Sequence, residues 1–146
     1  MFRRTSNNSG FSLIEIMVVM IIIGILAALV APRLIQRADE AKVTEARIQI
    51  KNFETALRLY KMDNGFYPST DQGLSALIAP PLSGEIPENF REGGYLEKRA
   101  VPSDPWGNPY VYISPGEYSD YDIISLGADG NPGGEKYAAD ITNLDE

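Results

Sequence analysis

Neither cysteine nor histidine occurs anywhere in the chain. Their joint absence removes the thiolate nucleophile, the commonest acid–base catalyst and the usual ligands of transition metals. An enzyme on this chain would have to run on Ser, Lys, Tyr or carboxylates, and no Ser–Lys pair stands out by spacing. The chain therefore reads as a non-enzyme, and no disulfide can brace it. Positive charge is scarce at one end. Beyond Ala100 the only base is Lys136, set against Asp104, Glu117, Asp120, Asp122, Asp129, Glu135, Asp140, Asp145 and Glu146. The whole carries 13 Lys+Arg and 20 Asp+Glu, a net charge of -7. Such an end speaks against a nucleic-acid surface and for a cation site or a solvated tail.

What the chain does have is one long apolar run, Phe11 to Ala31. Outside it about 100 residues remain to build a core, which makes for marginal stability without a staple such as a metal or oligomerisation. The run has the length of about 20 residues that a helix needs to cross a bilayer. A secretory signal peptide would be shorter in its apolar part and would end in small residues, whereas this one ends in Leu29-Val30-Ala31-Pro32. A plain anchor explains the length but not Glu15. A carboxylate inside a membrane helix costs a few kcal/mol unless it lies near the headgroups or meets a partner. A cut between Gly10 and Phe11 would supply that partner. The new amino group would stand one helical turn from Glu15, on the same face, and staggered helices could pair the amine of one with the carboxylate of the next.

Gly10-Phe11-Ser12-Leu13-Ile14-Glu15, followed by an apolar run, resembles the class III signal of type IV prepilins. The resemblance implies cleavage by prepilin peptidase after Gly10, N-methylation of Phe11, and a role for Glu15 in guiding assembly by neutralising a neighbour's amino terminus. The leader departs from the common pattern. Asn8-Ser9 precede Gly10, and the bases are Arg3 and Arg4. Arg33, Arg37, Lys42, Arg47 and Lys51 follow the span, so counting positive charges would place the C-terminal body in the cytoplasm. The resemblance implies the reverse, with the body periplasmic and the anchor in the inner membrane, and that topology is the one expected.

Beyond Pro32 a second pattern begins. Val43, Ala46, Ile50, Phe53, Leu57 and Tyr60 follow at steps of three and four, the apolar stripe of a helix. Glu54 and Arg58 form an i,i+4 pair on another face, and Asp63-Asn64-Gly65 supplies a stop. The spacing predicts a helix from Phe11 to about Met62, roughly 75 Å at 1.5 Å per residue, kinked or loosened near Pro32. Its upper stripe is expected to pack on the domain's own sheet. The lower half, to about Ala41, would pack on copies of itself, helped by Gly24 and Ala28 at small-xxx-small spacing. By analogy with type IV filaments, the stretch from Gly24 to Pro32 is where helicity can be lost.

In the rest of the chain, Ser69-Thr70 can cap a short helix over Gln72–Ile78 that ends at Pro80-Pro81. Leu82 to Gly94 reads as loop. Asp104-Pro105-Trp106-Gly107-Asn108-Pro109 is a turn cluster before a strand at Tyr110–Ile113; Ser114 to Asp120 turns the chain, and Tyr121–Leu126 returns as a second strand. Trp106 is expected to anchor the core or a loop. Together these predict an α+β fold: a long N-terminal helix packed by a small antiparallel sheet. Asp63 to Pro68, Asp104 to Tyr110, Ser125 to Gly130 and the Gly10/Phe11 start together resemble the major pseudopilins of type II secretion over essentially the whole chain. Type IVa pilins share the start but usually close a C-terminal loop with two cysteines, which this chain lacks.

Asp129-Gly130-Asn131-Pro132-Gly133-Gly134-Glu135, followed by Asp140, gathers oxygen donors on a glycine-rich loop. Calcium takes six to eight oxygens from carboxylates and carbonyls on a chain able to wrap it. The spacing partly echoes an EF-hand loop, although Pro132 and strand-like flanks argue against a true one. From the residues alone, an acidic solvated turn and a metal loop both remain open. The pseudopilin resemblance implies calcium, with the Asp129 and Asp140 side chains as ligands and the Leu126 and Asn131 carbonyls beside them. Metal would then fold the loop, in place of the missing disulfide.

The expected organisation is a cleaved leader (1–10), a transmembrane and polymerisation helix (11–31), its amphipathic continuation (32–62), and a periplasmic domain (63–146) with the C-terminal calcium loop at 126–141. The resemblance implies a major structural subunit of a periplasmic pseudopilus, a helical homopolymer that drives folded proteins across the outer membrane. Its implied partners are minor pseudopilins, prepilin peptidase, the inner-membrane secretion platform and the inner membrane itself, with no nucleic acid. The alternatives are a minor pseudopilin or type IV pilin used in adhesion or DNA uptake, and, from another class, a membrane-anchored periplasmic hydrolase.

Overall fold

The structure, a computed structural model, describes residues 10–145; Arg3, Arg4, Asn8 and Ser9 of the expected leader lie outside them. In chain order it has helix α1 (Leu13–Asn64), a 3-10 turn (Leu74–Leu77), strands β1 (Val111–Ile113) and β2 (Asp122–Ser125), 3-10 turns at Gly127–Asp129 and Lys136–Ala138, and strand β3 (Ile141–Thr142). The architecture is the expected α+β: one long N-terminal helix and a small antiparallel sheet. The chain divides into two compact units, Met1–Ala38 and Asp39–Glu146.

In the first unit α1 is opened by Ser12. The Glu15 amide donates to the Ser12 hydroxyl at 3.2 Å and to its carbonyl at 3.1 Å, which satisfies one of the orphan donors of the first turn. All side chains from Phe11 to Ala31 are exposed. The expected loosening at Pro32 is absent: α1 continues through it, and through Gly24 to Ala31. Proline removes one hydrogen bond from the ladder. In a helix this long, cooperative propagation on both sides holds the turn.

In the second unit the stripe on α1 is the heart of the core. Ala46, Ile50, Phe53, Leu57 and Tyr60 are buried, and Val43 packs against them half-buried. Each large side chain removed from water contributes roughly 1.5–3 kcal/mol. Glu54, expected on another face, is also buried, held between Lys51 at 3.1 Å and Arg58 at 3.8 Å. α1 stops at Asn64, two residues past the expected end. Gly65, at φ 89°, donates its amide to the Lys61 carbonyl at 2.7 Å, a left-handed exit that a side chain would strain.

Ser69 and Gln72 form a reciprocal box: the Gln72 amide donates to Ser69 Oγ at 3.3 Å, and the Ser69 amide to Gln72 Oε1 at 3.0 Å. The helix expected over Gln72–Ile78 is reduced to the 3-10 turn Leu74–Leu77, because Gly73 at φ 61° leaves the α region. The sheet order is β1-β2-β3, all antiparallel, with Val111 opposite Ile124 and Ser125 opposite Ile141. Both expected strands are present and shorter, without Tyr110, Tyr121 or Leu126. The third strand, only Ile141–Thr142, is too brief to give an alternating pattern. Tyr112 donates its hydroxyl to the Pro68 carbonyl at 2.8 Å, and Trp106 packs half-buried on the core.

Candidate functional site

At the start of the chain, Gly10, Phe11 and Glu15 stand where a processing and assembly signal would need them. Gly10 is exposed, and a side chain there would meet nothing within 4 Å. Phe11 is 77% exposed just before α1, and Glu15 is an exposed acid in the first turn. Ser12-x-x-Glu15 has the spacing of a capping box, a signal legible in the sequence. Only half of the box is made. Ser12 accepts from the Glu15 amide, while among the described residues no bond returns from the Ser12 amide to the Glu15 carboxylate. That carboxylate thus sits at the positive end of the helix dipole, free to meet a further positive charge. α1 is long and apolar enough to cross a membrane, and none of its apolar stretch is buried among the described residues.

At the other end, the structure builds a loop between β2 and β3. The Asn131 amide donates to Asp129 Oδ1 at 3.1 Å, and Asn131 Nδ2 donates to the Asp129 carbonyl at 2.9 Å. Across the loop, the Gly133 amide donates to Asp140 Oδ2 at 2.9 Å. The other Asp140 oxygen, Oδ1, is buried without a hydrogen-bond partner, an arrangement that costs on the order of 1–3 kcal/mol or more for a charged group. The two ends of the loop close tightly at Gly127, φ 63°, where an added Cβ would lie 2.8 Å from the Ala139 carbonyl oxygen. Among the described residues no group of three or more His, Cys, Asp or Glu side chains lies together. A cation here would draw on two carboxylates and on carbonyls such as those of Leu126 and Asn131. An orphaned carboxylate oxygen on a glycine-rich loop suits a hard cation such as calcium.

A set of polar contacts centred on Asp104 ties the loop's start to the turn before β1. Asp104 is 4% exposed. Its Oδ1 accepts the amides of Trp106 at 3.1 Å and Asn108 at 2.7 Å, and its Oδ2 accepts the Ser125 hydroxyl at 2.7 Å. Asn108 Nδ2 in turn donates to the Gly127 carbonyl at 3.1 Å. The turn at Asp104 to Pro109 was legible from its residues; nothing in their spacing announces the reach to Gly127.

Comparison with known proteins matches both parts of the chain. The family described as "Type II secretion system (T2SS), protein G" matches residues 33–144, and the "Prokaryotic N-terminal methylation motif" matches residues 5–31. The Type II secretion system core protein G of Pseudomonas aeruginosa is 55% identical over 137 residues, 94% of this chain and 95% of that one. The protein of the same name from Vibrio cholerae is 48% identical over 141 residues, 97% and 94% of the two chains. A crystal structure of the major pseudopilin from the type 2 secretion system of enterohaemorrhagic Escherichia coli aligns with a TM-score of 0.66 at 40% identity. It covers 77% of this chain and 94% of that one.

Proposed function

Because the chain belongs to the type II secretion system protein G family and is a major pseudopilin, we propose that copies of it polymerise through α1 into a periplasmic pseudopilus that drives folded proteins across the outer membrane. The observation that carries the reading is the apolar stretch from Phe11 to Ala31, exposed along its whole length and interrupted by a single carboxylate. Such a surface is stable only in lipid or against other copies. Cleavage after Gly10 by prepilin peptidase, with methylation of Phe11, leaves a cationic amine at the positive end of a helix dipole. Glu15 of a neighbouring copy neutralises it as the subunit leaves the membrane. The body then lies on the periplasmic side of the inner membrane, where minor pseudopilins and the secretion platform are its further partners. The role is structural, without catalysis.

In the same reading calcium occupies the loop at 126–141, held by the Asp129 and Asp140 side chains with the Leu126 and Asn131 carbonyls. The buried, unpartnered Asp140 Oδ1 supports it. When bound, the ion supplies the positive charge that lets these oxygens converge.

The mass and N-terminal residue of membrane-extracted protein test the assembly reading. Methyl-phenylalanine at position 11 is expected, together with loss of filaments in Glu15→Ala. An intact Met1 and filaments at the wild-type rate in that variant would sink it.

A further inference from the structure

We propose that Asp104 is a positioning residue for the cation loop, acting through Ser125 and Asn108 to fix the two peptide units that flank Gly127. The inference rests on the calcium reading above and extends it to residues that touch no cation.

Gly127 lies between Leu126, whose carbonyl is a candidate ligand, and the turn that carries Asp129. Both of its backbone polar groups are held by side chains. Its amide donates to Ser125 Oγ at 3.4 Å, and its carbonyl accepts from Asn108 Nδ2 at 3.1 Å. The peptide bond from Leu126 to Gly127 is trans, so its carbonyl points opposite to its N–H. Orienting the Gly127 amide toward Ser125 therefore orients the Leu126 carbonyl away from it. The Asn108 bond fixes the next peptide plane in the same manner. Asp104 restrains the Ser125 hydroxyl directly, and it fixes the backbone from which the Asn108 side chain reaches Gly127. One of its oxygens accepts the Ser125 hydroxyl and the other the Asn108 backbone amide, while the Asp104 backbone amide donates to the Asn108 backbone carbonyl at 2.8 Å. Gly130 lies close to the Asn108 side chain, where an added Cβ would come within 3.1 Å of its Oδ1.

A buried carboxylate that serves only the stability of its turn needs the two bonds to Trp106 and Asn108. The extra bond to Ser125, fully buried at the end of β2, ties that turn to the strand from which the loop departs. Partners that orient metal ligands are costly to lose, typically about 10–100-fold in metal affinity.

The test uses the full-length chain in detergent micelles, with calcium binding followed by calorimetric titration and melting followed in chelator and in calcium. Asn108→Ala and Ser125→Ala are expected to weaken calcium binding by about 10–100-fold and to shrink the rise in melting temperature that calcium gives. Asn108→Asp, which keeps size and backbone bonds but turns an oxygen toward the Gly127 carbonyl, provides a milder variant with the same expectation. Thr70→Ala serves as the comparison, because its bonds to Ser114 at 3.1 and 2.8 Å lie elsewhere. It should lower both melts equally and leave the calcium affinity unchanged. Wild-type affinity in all three Asn108 and Ser125 variants, with binding abolished in Asp129→Ala, overturns the positioning role alone. No saturable binding by the wild type, or unchanged binding by Asp129→Ala, removes the calcium reading and this inference with it.

Discussion

Phe53 meets Tyr110 edge to face, their ring centroids 5.1 Å apart and their planes at 76°. The pair joins the middle of the buried stripe on α1 to the residue that enters β1. Tyr112, Tyr121, Ile123 and Ile141 join the same core, so the sheet packs along several turns of the helix. Such an aromatic contact adds about 0.5–1.5 kcal/mol to the burial of either ring.

Phe53→Ala should therefore be among the most damaging single changes in the second unit. The side chain is fully buried, and its removal combines lost transfer energy with a cavity, about 3–5 kcal/mol. Met62, 80% exposed near the end of the same helix, is its counterpart; Met62→Ala should stay within about 0.5 kcal/mol. Urea unfolding followed by Trp106 fluorescence measures both. Equal effects of the two substitutions would contradict the packing described.

Alkali should unfold the second unit before it hydrolyses anything. Burial is the first cause of the raised phenols here. It pushes Tyr60, Tyr112 and Tyr121 from an ordinary 10.0 to about 12, with nearby charge adding to the effect, from Glu85 at Tyr60 and from Glu54 at Tyr121. Tyr110 moves in the same direction, by burial and then by Asp104 and Glu45. The unfolded chain ionises these groups first, so the stability they contribute is complete below pH 10 and drains as pH rises toward 12. Tyrosinate absorbance and loss of helical circular dichroism should rise together across that window. Tyrosinate forming fully while the fold persists would refute the coupling.

The parts of the fold that announced themselves in the sequence are those whose signal repeats. The stripe from Val43 to Tyr60 returns every three or four residues, so its burial followed from spacing alone. The antiparallel pair around the Ser114 to Asp120 turn was legible because turn residues bracket two β-branched runs. Ile141–Thr142 offers no repeat, and its strand exists only because β2 presents an unpaired edge to it. Pro32 marked a local penalty that the length of α1 outweighs. Gly73 carries no such repeat, yet its backbone, at positive φ, shortens the expected helix. At the candidate loop, Asp129 and Asp140 were visible as acids among glycines. The contact from Asn108 to Gly127 joins residues nineteen apart in sequence, and no local pattern encodes it.

The orphaned oxygen of Asp140 yields an expectation with opposite signs in two solutions. In calcium the oxygen finds a cation, and the loop becomes the staple that a cysteine-free chain needs. In chelator the same oxygen stays buried and unpartnered, a burden on the folded state. Chelation should thus lower the melting temperature of the wild-type protein, and Asp129→Ala should abolish the difference between the two conditions. Asp140→Asn should also lose the gain from calcium. It should nevertheless melt no lower than the wild type in chelator, since the amide buries no charge and its oxygen can still accept from Gly133. Differential scanning calorimetry of the three proteins in both solutions separates these terms. A wild-type melt indifferent to chelator, or an Asp140→Asn protein that keeps the full response, would show that the loop holds itself by its hydrogen bonds alone.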